Sequence, residues 1–246
     1  MRTIFIGVQN VKVRNLHRKL KRLIDNQIIR DEWIVDKLKA IPANSKILDA
    51  GCGSQRYRKD CGHLRYYAQD FGGYTVDDKD SYTARTETYE YGQLDYRGDI
   101  WNIAEKDSTF DIILCTEVFE HIPYPNETIQ EFYRLLKHNG KLILTAPSNC
   151  LRHMDPCYYY SGFSDRYFEF MLAQNGFNNI TIEPVGSYHS WLFVEAARCM
   201  RHEGAWAMLA LWPALIYHYL KQRRPTHKEV NTLCFGYHVI AEKASK

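Results

Sequence analysis

The chain has 246 residues, 45% of them hydrophobic and 25% charged, with a formal net charge of +3. This is ordinary globular composition and predicts one domain with embellishments; the charge excludes a general polyanion binder. Seven scattered cysteines, odd in number and without a Cys-x-x-Cys pair, exclude a disulfide framework or zinc finger and point to reduced thiols in a cytosolic setting.

The stretch Ile4–Val8 is too short for the apolar core of a secretory leader, and basic residues come after it rather than before it. Lys12–Arg22 holds six Lys/Arg, and Leu16, Leu20, Leu23 and Ile24 recur at helical spacing. A second helix is predicted through Trp33, Ile34, Leu38 and Ile41, ending before Pro42. Residues 1–44 are thus expected to form a helical cap with a solvated basic face. The competing reading is attachment to an anionic membrane surface or nucleic acid.

Ser45–Ser54 organises the rest of the chain. Ile47 and Leu48 predict the end of a buried strand, Asp49 comes next, and Gly51 and Gly53 form a turn that lets a ligand approach the backbone. A helix is expected just after it. A dinucleotide-binding turn needs glycine at position 56, which is Arg56, and a carboxylate at Asp49 suits a ligand ammonium better than a pyrophosphate. Tyr66–Asp70 predicts a second strand. Asp70, 19 residues beyond Gly51, stands where an acid can hold both hydroxyls of a ribose. Gly72–Gly92 is predicted to be an exposed loop near the ligand.

Leu94–Ile100 is a poor strand by propensity, whereas Phe110–Cys115 predicts a clear buried one. A helix is expected over Thr128–His138, closed by Asn139-Gly140, then a strand over Lys141–Ala146. Ser164–Asn175 and Gly176–Ile182 predict a further helix and strand, and Thr232–Glu242 a last, antiparallel strand. Strands alternating with helices predict a parallel α/β sheet.

Five features now stand in order: Asp-x-Gly-x-Gly at Asp49, an acid at Asp70, Asp99-Ile100, Phe110-Asp-x-Ile, and Leu135-Leu-Lys-x-x-Gly-x-Leu-Ile-Leu144. Together they resemble the small-molecule ("type 11") branch of class I S-adenosylmethionine (SAM) methyltransferases. The resemblance departs at Gln55, where the family often has a third glycine. It implies a Rossmann-like, seven-stranded, mostly parallel sheet over residues 45–246, with an antiparallel last strand and helices on both faces. It implies SAM as cofactor, held by Asp49, Gly51, Cys52, Gly53, Asp70, Phe71, Asp99, Ile100 and Glu117. Asp99 would accept from the adenine amino group and the Ile100 N–H would donate to the ring.

The resemblance implies methyl transfer, most readily to a hydroxyl of a small molecule or a glycan, free or lipid-linked. His121, beyond the fourth strand, is the first candidate for general base, because imidazole titrates near about 6.5; His153 is the second. Glu117-x-x-Glu120-His121 also resembles the Glu-x-x-Glu-His of ubiquinone-type O-methyltransferases and small-RNA 2′-O-methyltransferases, where it can hold a divalent ion. His153 could add a ligand; whether a metal is bound stays open. The His/Tyr/Arg-rich loop after the fifth strand predicts Tyr158, Tyr160 and Arg166 as acceptor contacts. An RNA acceptor is disfavoured by the near-neutral charge, and a non-catalytic scaffold by the three retained acids.

Residues 186–231 interrupt the family pattern. One helix is expected near Trp191–Met200. Ala205–Leu220 is apolar on all sides, shorter than a spanning helix, holds Pro213 and runs into Lys221-Gln-Arg-Arg224. Burial or dimerisation is the first expectation, peripheral contact with the inner face of a membrane the second.

Overall fold

The structure, a computed structural model, describes residues 26–75 and 90–245. The expected basic helix over Lys12–Arg22 and most of the expected Gly72–Gly92 loop lie outside the described residues. The chain separates into two compact units, one of Met1–Ile34 with Gly186–Cys234, the other of Val35–Val185 with Phe235–Lys246.

The larger unit is a seven-stranded sheet. In chain order its strands are β1 (Lys46–Ala50), β2 (Arg65–Asp70), β3 (Tyr96–Arg97), β4 (Phe110–Thr116), β5 (Leu136–Pro147), β6 (Phe177–Val185) and β7 (Gly236–Lys243). Their order across the sheet is β3-β2-β1-β4-β5-β7-β6. The first five pair parallel, and β7 runs antiparallel to β5 and β6. The strand order reverses between β1 and β4, and in such sheets the crevice for a ligand opens at the carboxyl ends there. This is the expected Rossmann-like architecture.

Register explains the core. Leu48 pairs with Ile113, Ile113 with Leu142, and Leu142 with Ala241, giving one fully buried row across four strands. Helix α2 (Pro125–Leu135; α1 is Asn26–Lys39) presents Ile129, Phe132 and Leu135 inward. Phe119 meets Phe132, Phe163 and Phe168 with ring centroids 6.4, 5.9 and 5.9 Å away. That cluster joins the turn after β4 to the loop after β5 and to helix α3 (Asp165–Gln174), whose N-terminus is capped by Ser164.

Four elements differ from expectation. The helix before β5 stops at Leu135, because Leu136 is already extended (φ −70°, ψ 140°) and pairs with Phe110. The Asn139-Gly140 turn sits inside β5 as an irregularity, with Asn139 at φ 61°. β3 is two residues long, in keeping with its poor propensity. β7 starts at Gly236, since Thr232 ends a short helix α6 (His227–Thr232) set up by a Thr226/Glu229 capping box.

In the smaller unit, α4 (Tyr188–Glu203) packs on α5 (Ala205–Lys221). His189 joins them: its Nδ1 lies 2.8 Å from His218 Nδ1, and its Nε2 lies 3.2 Å from Glu229. The expected burial of the apolar run is corrected: none of the seventeen residues of α5 is buried in the chain.

Candidate active site

The glycine turn hangs from β2. Gly51 N–H and Cys52 N–H donate to the Gln69 carbonyl at 2.9 and 3.0 Å, and Gly53 N–H donates to Asp70 Oδ2 at 2.8 Å. The other Asp70 oxygen accepts from Gly72 N–H at 3.0 Å, so one carboxylate ties both loops that leave β1 and β2. Gly51 is at φ +70°, and a Cβ there would stand 2.5 Å from Val118 Cγ2. Only glycine lets the β1 turn touch the β4 turn. The expected helix is replaced by a single 3-10 turn, Arg58–Asp60. Gln55, in the place of the third glycine, is left-handed (φ 56°) and stops helical propagation. Its amide donates to the Gln93 carbonyl and accepts from Arg58.

Asp49 lies beneath this turn and is 2% exposed. Tyr66 donates its hydroxyl to Oδ2 at 2.6 Å. Burial pushes the Asp49 carboxyl up to about 7, despite the Tyr66 hydrogen bond, with the nearby Asp70 charge adding to the rise. Burial likewise raises the thiol of Cys52, keeping it protonated and unreactive.

A cavity of about 310 Å³ opens at the carboxyl ends of the strands. Gly51, Asp70, Phe71, Asp99, Ile100 and Glu117 line it; Asp49, Cys52 and Gly53 stand behind the lining. Glu117 holds a left-handed backbone (φ 52°) and accepts from Thr145 Oγ1 at 3.0 Å. A strained non-glycine residue at a strand end is common where a site fixes a side chain.

The far side of the cavity is His121, Met154, Cys157 and Tyr159. The Tyr159 and Tyr160 N–H groups both donate to the Glu120 carbonyl, which pins the loop after β5 to the turn after β4. His121 Nδ1 lies 2.6 Å from the Cys157 carbonyl. A carbonyl only accepts, so Nδ1 carries the proton and Nε2 the lone pair. His153 is fixed the same way by the Leu151 carbonyl at 2.8 Å, and the two imidazoles meet edge to face with centroids 4.6 Å apart. Among the described residues, Glu120, His121 and His153 bring three ligand atoms within 4.8 Å of one another. Glu117, the first acid of the expected Glu-x-x-Glu-His set, is outside that group.

The three expected acceptor contacts lie elsewhere. Tyr158 turns its hydroxyl to the Cys150 carbonyl, and Tyr160 packs on Phe163 and donates to the Pro123 carbonyl. Arg166 is on the exposed surface of α3, paired with Glu169. Tyr159, between the two tyrosines, lines the cavity instead. Sequence reasoning also missed Gln69, Tyr74, Tyr91 and Trp101, which line the same cavity; nothing in their spacing singles them out.

The family described as "Methyltransferase domain" matches residues 48–144, from β1 through most of β5. The match covers 97 of the 246 residues, and over that segment the chain is similar to methyltransferases. Its curated relatives include a ubiquinone biosynthesis O-methyltransferase of Xanthomonas axonopodis pv. citri, 33% identical over 48% of each chain. Another of the same name, from Dechloromonas aromatica, is 28% identical over 52% of this chain and 54% of its own. The chain spans about half the length of the curated relatives it matches. Among solved structures, Haemonchus contortus phosphoethanolamine N-methyltransferase 2 with SAM superposes with a TM-score of 0.53, at 16% identity over 88% of this chain and 52% of that one. The cyclase SpnF also scores 0.53, at 17% identity over 89% and 82%. These structural likenesses show the fold alone.

The residues fit the family's cofactor. SAM carries an ammonium, a ribose diol and an adenine. Asp49 is a buried acid whose pKa burial raises, and a cation on the turn would favour its ionised form. Asp70 and Asp99 place carboxylates at the cavity wall, and among the described residues no lysine or arginine lines it. A phosphate-bearing ligand would meet acids there.

Proposed function

We propose that the protein transfers the methyl group of SAM to a hydroxyl of a small-molecule or glycan acceptor, with His121 as general base. The observation that carries this reading is the tautomer of His121. Its Nδ1–H is committed to the Cys157 carbonyl, which leaves Nε2 as the basic nitrogen, with the buried Glu120 carboxylate 3.7 Å away as partner for the imidazolium that proton transfer would form. Asp70 would hold the ribose, Asp99 and Ile100 the adenine, and Asp49 would compensate the ammonium. SAM supplies an electrophilic methyl when bound. The chain's own residues then hold the acceptor close and in line, which is most of the catalytic work, and His121 takes the hydroxyl proton. The relatives named O-methyltransferases support oxygen as the receiving atom.

A second reading rests on the Glu120–His121–His153 group. Two imidazoles with Nδ1 protonated and one buried carboxylate are a chemically suitable donor set for a divalent ion, which would lower the pKa of a bound hydroxyl. His121 would then be a ligand rather than the base. This metal-assisted reading extends to an RNA 2′-hydroxyl.

The test is methyl transfer from labelled SAM to a panel of hydroxyl acceptors, before and after chelation, with SAM affinity measured in parallel. Activity that survives chelation and disappears in His121→Gln, with SAM affinity intact, supports the general base. Activity lost on chelation and restored by a divalent ion selects the metal-assisted reading. Transfer to amines but to none of the hydroxyls would overturn the proposal.

A further inference from the structure

Helix α5 turns an uncharged apolar surface to solvent. Trp206, Leu209, Trp212, Ile216 and Leu220 are 82, 72, 55, 45 and 58% exposed. At 3.6 residues per turn they fall along one side of the helix. Ala207, Leu211, Ala214, Leu215 and His218 fall on the other side and are half-buried. Ala205–Lys221 contains no acid. Isolated exposed apolar residues need no explanation, but a contiguous stripe with two tryptophans marks an interaction surface.

Charge identifies the occupant. The described residues of the smaller unit, 26–34 and 186–234, carry 7 Lys/Arg against 5 Asp/Glu. Lys221, Arg223 and Arg224 stand exposed where α5 ends. A second copy on this surface would cover the apolar stripe but offer the cations no counter-charge from α5, which holds no acid. A nucleic acid would set the tryptophan and leucine side chains against phosphates. An anionic lipid surface satisfies both features, since acyl chains take the apolar stripe and headgroups the cations.

The helix is suited to lying in that surface. Its seventeen residues are interrupted by Pro213, and no helix among the described residues is long and apolar enough to cross a membrane. Tryptophan and tyrosine prefer the depth of the headgroups, and α5 carries Trp206, Trp212, Tyr217 and Tyr219.

We propose that the smaller unit docks on an anionic lipid bilayer, with α5 in the interface plane, its Trp206–Leu220 stripe at the acyl boundary and Lys221, Arg223 and Arg224 on the headgroup phosphates.

The experiment is co-sedimentation of the full chain with vesicles of phosphatidylcholine alone or containing about one-third phosphatidylglycerol. Binding to the anionic vesicles only is expected, with a blue shift of tryptophan emission. Arg223→Glu with Arg224→Glu should weaken it about tenfold or more. Salt at about 1 M should do the same, because the screening length falls to roughly 3 Å. Trp206→Ser with Leu209→Ser, both exposed and checked for folding by circular dichroism, should remove binding and the blue shift. Three results would overturn the proposal. The chain could fail to sediment with either vesicle. It could form a dimer that the serine pair converts to monomer without any lipid binding, assigning the stripe to a second copy. It could bind single-stranded RNA in a way that anionic vesicles do not displace, assigning the charge to nucleic acid.

Discussion

At one end of the cavity the backbone N–H groups of the glycine turn are tied to Gln69 and Asp70. At the other, the loop after β5 is hung on the carbonyl of Glu120, and side chains such as Tyr159, Met154 and Cys157 form the wall. The first end is built by main-chain geometry and therefore tolerates few substitutions. The second is built by side chains on a long connection, where different residues can serve the same shape. The difference teaches where specificity for the acceptor is stored, and it orders the expected effects of mutation.

The largest effect is expected at Gly51. Gly51→Ala puts a Cβ 2.5 Å from Val118 at φ +70°. The variant should lose about 2–4 kcal/mol of stability and show no SAM binding by calorimetry. Full affinity would mean that the two turns can separate without harm, and that the cofactor end yields more readily than its hydrogen bonds suggest.

Next comes the histidine of the far wall. His121→Gln keeps a hydrogen-bonding side chain beside the Cys157 carbonyl but loses the basic nitrogen. Turnover should fall about 10²–10⁴-fold, while SAM affinity stays within about twofold of the parent. A parallel loss of affinity would make His121 part of the cofactor end.

Asp99→Ala should weaken SAM about 10–100-fold, the size of a hydrogen bond to a charged group, with unchanged thermal stability, since Asp99 is exposed. Unaltered binding would remove Asp99 from the cofactor site.

Asp49 makes a pH-dependent prediction. Its folded pKa, about 7, lies above the unfolded value near about 3.9. The folded state therefore holds the proton more tightly, and stability without ligand should fall as pH rises through this window. Asp49→Asn should flatten that slope and melt higher than the parent above pH 7. SAM affinity of the parent should run the other way, falling as pH drops through 7 and the counter-charge is neutralised. A pH-independent affinity would show that Asp49 does not sense the ligand.

The smallest effects belong to the acceptor end. Tyr159→Ala should raise the acceptor KM about two- to tenfold, the worth of one aromatic contact. Arg166→Ala should leave it unchanged, since Arg166 sits on α3 paired with Glu169. The reverse pattern in steady-state kinetics would move the acceptor site from the cavity to α3.

Much of this molecule is local and open to reading from the chain. Asp49, Gly51 and Gly53 are spaced by the demands of one turn. Asp70 comes at the distance set by one strand–loop–strand unit, and Phe110–Cys115 is apolar because a central parallel strand is covered on both sides. Those signals lie within short windows, so residue order alone carries them. Gln55 is the exception: its identity does not reveal that a left-handed residue replaces the helix by a 3-10 turn. Tertiary structure decided the rest. That Tyr159 rather than Tyr158 or Tyr160 faces the cavity depends on two hydrogen bonds to Glu120, some forty residues earlier in the chain. The pairing of His121 with His153 joins two loops that only the sheet brings together. The exposure of α5 turns on which side packs against α4, and a helix apolar on every side has no periodicity from which to read it.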